Sequence, residues 1–203
     1  LPVISEIEQR LSWQARPDMP LLERISAIGE ALLGLKEMEY LGHAKTGEIS
    51  GRLVALKDRI LSPLEEKWTS GRSDGGTMAR VKRLRTTIVP ELLVSGITAA
   101  RRDDLRRQLA DLYLVQQLHC YPDGYLTDPT PDRLLETVER YEEDLTETAR
   151  PHFPIRAEIV VGDAIEVPSE KDRSQETDPL TTSIRESLET LLEITRPNHP
   201  CLP

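Results

Sequence analysis

Residues 155–167, IRAEIVVGDAIEV, decide whether this 203-residue chain is purely helical or also carries a sheet. Ile155, Ala157, Ile159, Val161, Ile165 and Val167 fall on one side of a two-residue period, and Arg156, Glu158 and Glu166 fall on the other. That alternation predicts a half-buried β-strand, or a short hairpin folded at Gly162-Asp163. It is nearly the only strand-like run in the sequence. A lone strand leaves a row of amide and carbonyl groups unpaired unless another strand or a covering element satisfies them.

Outward from this run the sequence reads as helix. With one Phe, two Trp and five Tyr, the core must be built from Leu, Ile, Val and Ala, which suits packed helices better than an aromatic-rich sandwich. Upstream, residues 3–14 align Ile4, Ile7 and Leu11, and residues 20–41 align Leu21, Ile25, Ile28, Leu32 and Leu35 before closing at Gly42. Residues 48–69 carry Ile49, Leu53, Leu56 and Ile60 on one stripe, with a kink expected at Pro63. After the SGRSDGG loop, residues 76–94 turn Val81, Leu84 and Ile88 inward, with a break expected at Pro90.

Residues 98–121 form the most apolar of these segments, with Leu105, Leu109, Leu112, Tyr113, Leu114, Val115 and Leu118, and are expected at the centre. Thr130-Pro131 supplies a cap and a first-turn proline for residues 131–149, which turn Leu134, Val138, Tyr141 and Leu145 inward. Downstream of the strand, the acidic loop PSEKDRSQETD leads to a last helix from Asp178-Pro179, with Leu180, Ile184, Leu188 and Leu191 inward. The tail RPNHPCLP reads as irregular, and no internal repeat of fixed period is evident. The expected fold is mainly α: an orthogonal or bundle-like array of six to seven helices with a short β-strand or hairpin near the C-terminus. Residues 1–150 would be a helical accessory domain, and residues 151–203 a strand plus closing helix that returns to a domain outside the chain.

The chain is 38% hydrophobic and 30% charged, an ordinary composition for a folded domain. No apolar run reaches the length of a bilayer span, and the N-terminus lacks the basic-then-apolar order of a secretory signal, so any membrane contact is expected to be peripheral. Cys120 and Cys201 give neither metal spacing nor a disulfide framework, which points to a reducing, cytoplasmic compartment. Helical periodicity begins at once behind Leu1, without an initiator Met, as expected of a fragment.

Few residues carry candidate chemistry. His43 and Glu48 offer an imidazole and a carboxylate, but across a Gly-containing link with no nucleophile nearby. His119-Cys120 are adjacent on a helix and point in different directions, His152 and His199 are isolated, and Glu65-Glu66 and Glu142-Glu143 read as solvated faces. Neither a cofactor nor a metal is implied. The charge pattern says more: nine basic residues stand against four acidic ones between Arg72 and Ala110, a local +5 in a chain of net charge −9. Arg80, Lys82, Arg83, Arg85, Arg101, Arg102, Arg106 and Arg107 are the candidate lipid- or anion-binding residues, facing an anionic membrane surface or an acidic acyl carrier. The competing reading pairs Asp103 and Asp104 with Arg106 and Arg107 as an ordinary ion-pair-laced face. Nucleic acid is not expected, because aromatics are few and the chain is acidic.

The C-terminal stretch IRAEIVVGDAIEV, an acidic loop and the helix PLTTSIRESLETLLEIT resemble the end of the phospholipid/glycerol acyltransferase family that acylates lysophosphatidate. There, a late strand of the form apolar-x-apolar-x-x-Gly-x-x-Ile precedes a loop and a closing helix. EIEQRLSW, PLLERISAIGEALLGLKEMEYLG, SPLEEKW, RVKRLRTTIVPELL, LADLYLVQQLHCYP and RLLETVERYEEDLTE are similar to the C-terminal helical region of a bacterial subgroup of these enzymes. The resemblance implies a catalytic domain upstream in the same polypeptide, whose sheet residues 155–167 would rejoin. The family uses a His followed four residues on by Asp, and a Glu-Gly-Thr-like phosphate-binding loop. Neither occurs here, so no catalytic residue carries over. The expectation is a non-catalytic accessory part of a lysophospholipid acyltransferase-like protein, cytoplasmic and peripheral on the inner face of the cell membrane. The alternative is an all-helical protein-interaction or scaffold module without lipid function.

Overall fold

The computed structural model describes residues 2–152, 159–169 and 178–195. Seven helices lie among the described residues: α1 Pro2–Arg10, α2 Leu21–Leu41, α3 Ile49–Thr69, α4 Thr77–Leu92, α5 Ala99–His119, α6 Pro131–Thr146 and α7 Pro179–Thr195. The chain divides into two units, Leu1–Ala149 and Arg150–Pro203.

Local chemistry sets the helix ends. Gly42 closes α2 at φ 81°, a left-handed conformation that glycine adopts without steric cost, and its N–H bonds the Met38 carbonyl. The hydroxyls of Thr98 and Thr130 accept from the backbone N–H groups of Arg101 and Arg133 and cap α5 and α6. The first helix stops short of the expected residue 14. Ser12 turns left-handed at φ 61°, and the Trp13 N–H bonds the Glu8 carbonyl at 2.8 Å. Pro63 and Pro90 both lie inside helices, so the break expected at Pro90 does not occur before Leu92.

A repeat organises the first four helices, contrary to the expectation that none exists. The starts of α2, α3 and α4 stand 28 residues apart, and the fourth residue of each is an arginine, Arg24, Arg52 or Arg80. Each arginine clasps a carboxylate of the preceding helix through Nε and Nη2. Arg24 holds Glu8 at 3.0 and 2.8 Å, Arg52 holds Glu37 at 2.9 and 2.8 Å, and Arg80 holds Glu65 at 2.7 and 2.8 Å. The backbone N–H groups of Arg16 and Lys45, each eight residues beyond the clasped glutamate, complete the first two sites. Tyr40 and Trp68 occupy matching positions and donate to Asp111 and Gln108 of α5 at 2.7 and 2.6 Å.

Because the clasped carboxylates are buried, the two-pronged arginine contact is what makes their charge tolerable. The bonds from Arg24 and Arg52 hold the carboxyls of Glu8 and Glu37 below the ordinary glutamate range, against the opposing effect of burial. Glu65 and Glu142 are both buried, so the expectation of solvated Glu65-Glu66 and Glu142-Glu143 faces fails at one residue of each pair.

The apolar core has two parts. One joins α3, α4 and α5 around Leu56, Leu61, Leu84, Ile88, Leu105 and Leu112, with Leu33 of α2 added. The other joins α1, α2 and α6 around Ile4, Ile7, Ile25, Ile28 and Val138. Thus α2 serves both parts, and Tyr121 packs against both. α5 packs against α3 and α4 and is not the common axis expected for residues 98–121. Its exposed Tyr113 also shows that its apolar residues do not all face inward. Leu35, expected inside, is exposed, while its neighbour Leu33 is buried.

The second unit is built differently. Among its described residues none is buried. Residues 159–168 carry no strand ladder, and Ile159 and Val161 are 88% and 89% exposed. The expected strand therefore has no pairing there, while its first residues, Ile155 to Glu158, lie outside the described residues, as do most of the acidic loop and the tail with His199 and Cys201. α7 forms where predicted, but Ile184 and Leu188, expected to be inward, are exposed. Gly162 approaches this helix closely: a Cβ there would lie 3.0 Å from Leu191 Cδ1.

Candidate functional site

The eight basic residues marked by the sequence divide by task. Arg80 is spent on Glu65 and on Asp58, the latter at 2.6 Å. Arg83 donates to the carbonyls of Arg72 and Asp74 at 2.9 and 2.8 Å, tying down the α3–α4 loop. Arg101 lies over the Trp68 ring at 5.3 Å and bonds Asp104 at 3.1 Å. These three brace the fold. Arg106 pairs with Asp103 at 3.7 Å, and Arg85 reaches only Gln116, at 3.3 Å. Lys82, Arg102 and Arg107 are exposed and have no carboxylate partner among the described residues. The available cations are therefore Lys82, Arg85, Arg102, Arg106 and Arg107, on the outward sides of α4 and α5.

Among the described residues, His43 and Glu48 are not joined as a catalytic pair. Glu48 caps α3, accepting from Ser50 Oγ and from the N–H groups of Ser50 and Gly51 at 3.2 and 3.0 Å, and these bonds lower its carboxyl pKa. It is thus committed to the helix rather than to the exposed His43. Cys120 is a free, exposed thiol whose nearest bond is to the Gln116 carbonyl. No group of His, Cys, Asp and Glu suited to holding a metal occurs among the described residues. No helix there is long and apolar enough to cross a membrane.

What the sequence did not reveal is a cleft of about 910 Å³ between α2, the start of α3, the C-terminal halves of α5 and α6, and the connection 121–127. It lies within the first unit, where the two parts of the core meet. Leu32, Leu35, Leu114, Leu126 and Leu145 give it an apolar floor, while Tyr121 and Tyr141 stand in its wall. Burial, with Asp144 adding its charge, pushes the Tyr121 hydroxyl up to about 12, so it remains a neutral donor at ordinary pH. Gly29 makes room on α2, because a Cβ there would collide with the Tyr141 hydroxyl.

The rim is acidic. Glu30, Glu39, Glu48, Asp123, Glu143, Asp144 and Glu147 line the cleft, against the cations Lys36 and Arg140. Asp144 reaches solvent, yet the cleft wall strips enough hydration to raise its carboxyl pKa. Glu143 adds to that rise, and Lys36 and Arg140 oppose it. The signal missed in the sequence was Leu35: its place in the helical stripe suggested core, while the fold turns it to this opening. No protein-family model, curated protein or solved structure matches the chain.

Proposed function

We propose that the chain is the non-catalytic C-terminal part of a longer lysophospholipid acyltransferase-like polypeptide, in which residues 155–167 complete a β-sheet supplied by an upstream catalytic domain. The observation that carries this reading is the exposure of Ile159 and Val161 in a run that is neither helix nor paired strand. Burying such a side chain is worth roughly 1.5–3 kcal/mol. A sheet edge would also pair the backbone groups that the run leaves open. The close approach of Leu191 to Gly162 fits a closing helix laid on a returning strand. In this reading, Lys82, Arg85, Arg102, Arg106 and Arg107 dock the protein on an anionic membrane surface at the cytoplasmic face.

The test starts from the native gene product. Its mass should exceed 23.0 kDa, and the whole protein should transfer an acyl group to lysophosphatidate while residues 1–203 alone do not. A 23.0 kDa product, or a longer one without acyl transfer, would remove the acyltransferase reading. Binding of the whole protein to anionic vesicles should weaken with added salt and with charge reversal at these five exposed cations; salt-insensitive binding would remove the docking role. The cleft favours a second reading, an all-helical interaction module without lipid function, for which a 23.0 kDa inactive product is the expected result.

A further inference from the structure

We infer that the cleft between α2, α5 and α6 is a docking site for a basic amphipathic helix of a partner protein. The inference rests on the cleft alone and holds whether or not the chain belongs to an acyltransferase.

Shape is the first argument. The lining runs along α2 from Ser26 to Glu39, about 20 Å at 1.5 Å per residue. Such a trough admits the apolar stripe of a helix and leaves its polar face outside, the mode in which residues at i, i+3, i+4 and i+7 act as anchors. The leucine floor is the surface that such anchors need.

Charge selects the partner. Of the rim groups, Lys36 is engaged by Glu39 at 2.9 Å, Arg140 by Glu136 at 2.6 Å and Glu30 by Arg52 at 3.0 Å, while Glu48 caps α3. Asp123, Glu143, Asp144 and Glu147 have no ion-pair partner among the described residues. The trough therefore presents an excess of negative charge beside apolar surface, which complements lysines or arginines flanking an apolar stripe. α7, with Glu186, Glu189 and Glu193 against Arg185, carries the wrong sign for this site.

The test titrates the 203-residue chain calorimetrically with a synthetic amphipathic peptide of about 14 residues, the length that spans the trough, bearing Leu on one face and Lys on the other. Binding should weaken with salt, and by about tenfold or more in the triple variant Glu143→Lys, Asp144→Lys, Glu147→Lys. It should also weaken in Leu35→Asp, whose side chain is exposed and whose helical circular dichroism should be unchanged. A peptide of the same composition in scrambled order should bind at least about tenfold more weakly. Equal binding of the scrambled peptide would reduce the effect to charge attraction and overturn the proposal. So would binding that survives both variants, no binding, or self-association of the chain abolished by the same substitutions, which would make a second copy the occupant.

Discussion

Residues 2–149 and the described residues 159–169 and 178–193 use the same apolar alphabet, yet the first region encloses much of it and the second displays it. In the first, Ile28, Leu56, Leu84 and Leu112 are fully enclosed, and even charged groups such as Glu8 and Glu37 are buried with partners. In the second, Ile159, Val161, Leu188 and Leu192 face outward. The difference lies in connectivity rather than composition. The starts of α2, α3 and α4 stand 28 residues apart, and each of these helices clasps the helix before it, so apolar stripes find one another locally. Residues 159–168 carry no strand ladder, and no described residue of that run or of α7 is buried. A self-enclosed first region and a second region without a buried described residue follow from that contrast.

The largest effect expected on this comparison comes from cutting a clasp. Arg52→Ala strands the Glu37 carboxylate in the interior and should cost about 3–5 kcal/mol in urea unfolding, while replacing both residues by apolar ones of similar volume should restore most of the loss. If Arg52→Ala behaves like a surface change, the clasps do not organise the first region. Acid should attack the same pairs. The folded carboxyls of Glu8 and Glu37 lie below their ordinary value of 4.5, so their contribution is present above the unfolded pKa and is lost as pH falls through the folded one. Thermal stability should therefore change little from about pH 7 to 5 and fall below about pH 4. A fall that begins near neutrality would point to other groups.

A smaller loss is expected at the cleft wall. Gly29→Ala forces Tyr141 to move and should cost about 1–3 kcal/mol, which thermal melts can register. The smallest effect belongs to the second region. Leu188→Ser and Ile184→Ser should change the stability of the isolated chain by no more than about 0.5 kcal/mol. A loss above about 2 kcal/mol would show that α7 is buried after all, and the comparison would break.

Much of the first region was legible in the sequence because period 3.6 and capping chemistry act locally. Ile25, Ile28, Leu53, Leu56, Val81, Leu84 and Ile88 were placed inward by pattern alone, and are buried. The repeat was not legible, because few of its positions are kept: Arg24, Arg52 and Arg80, the apolar residues that follow them, and Glu37 with Glu65. A charged residue in a helical stripe reads as solvated until its partner is seen. For the same reason the sequence grouped Arg80, Arg83 and Arg101 with the exposed cations, although each braces the fold. The cleft escaped notice because it depends on how α2, α5 and α6 come together, which periodicity within any one helix does not specify.

Native-state hydrogen exchange of the isolated 203-residue chain, read by fragment mass, tests the central contrast most directly. The account predicts slow exchange, approaching the global unfolding limit, for the buried turns of α2 to α5, and near-unprotected exchange for residues 159–168 with little protection in α7. Strong protection of residues 159–168 in the isolated chain would mean that the run already has its partner within the chain, and would contradict the claim that its completion comes from outside.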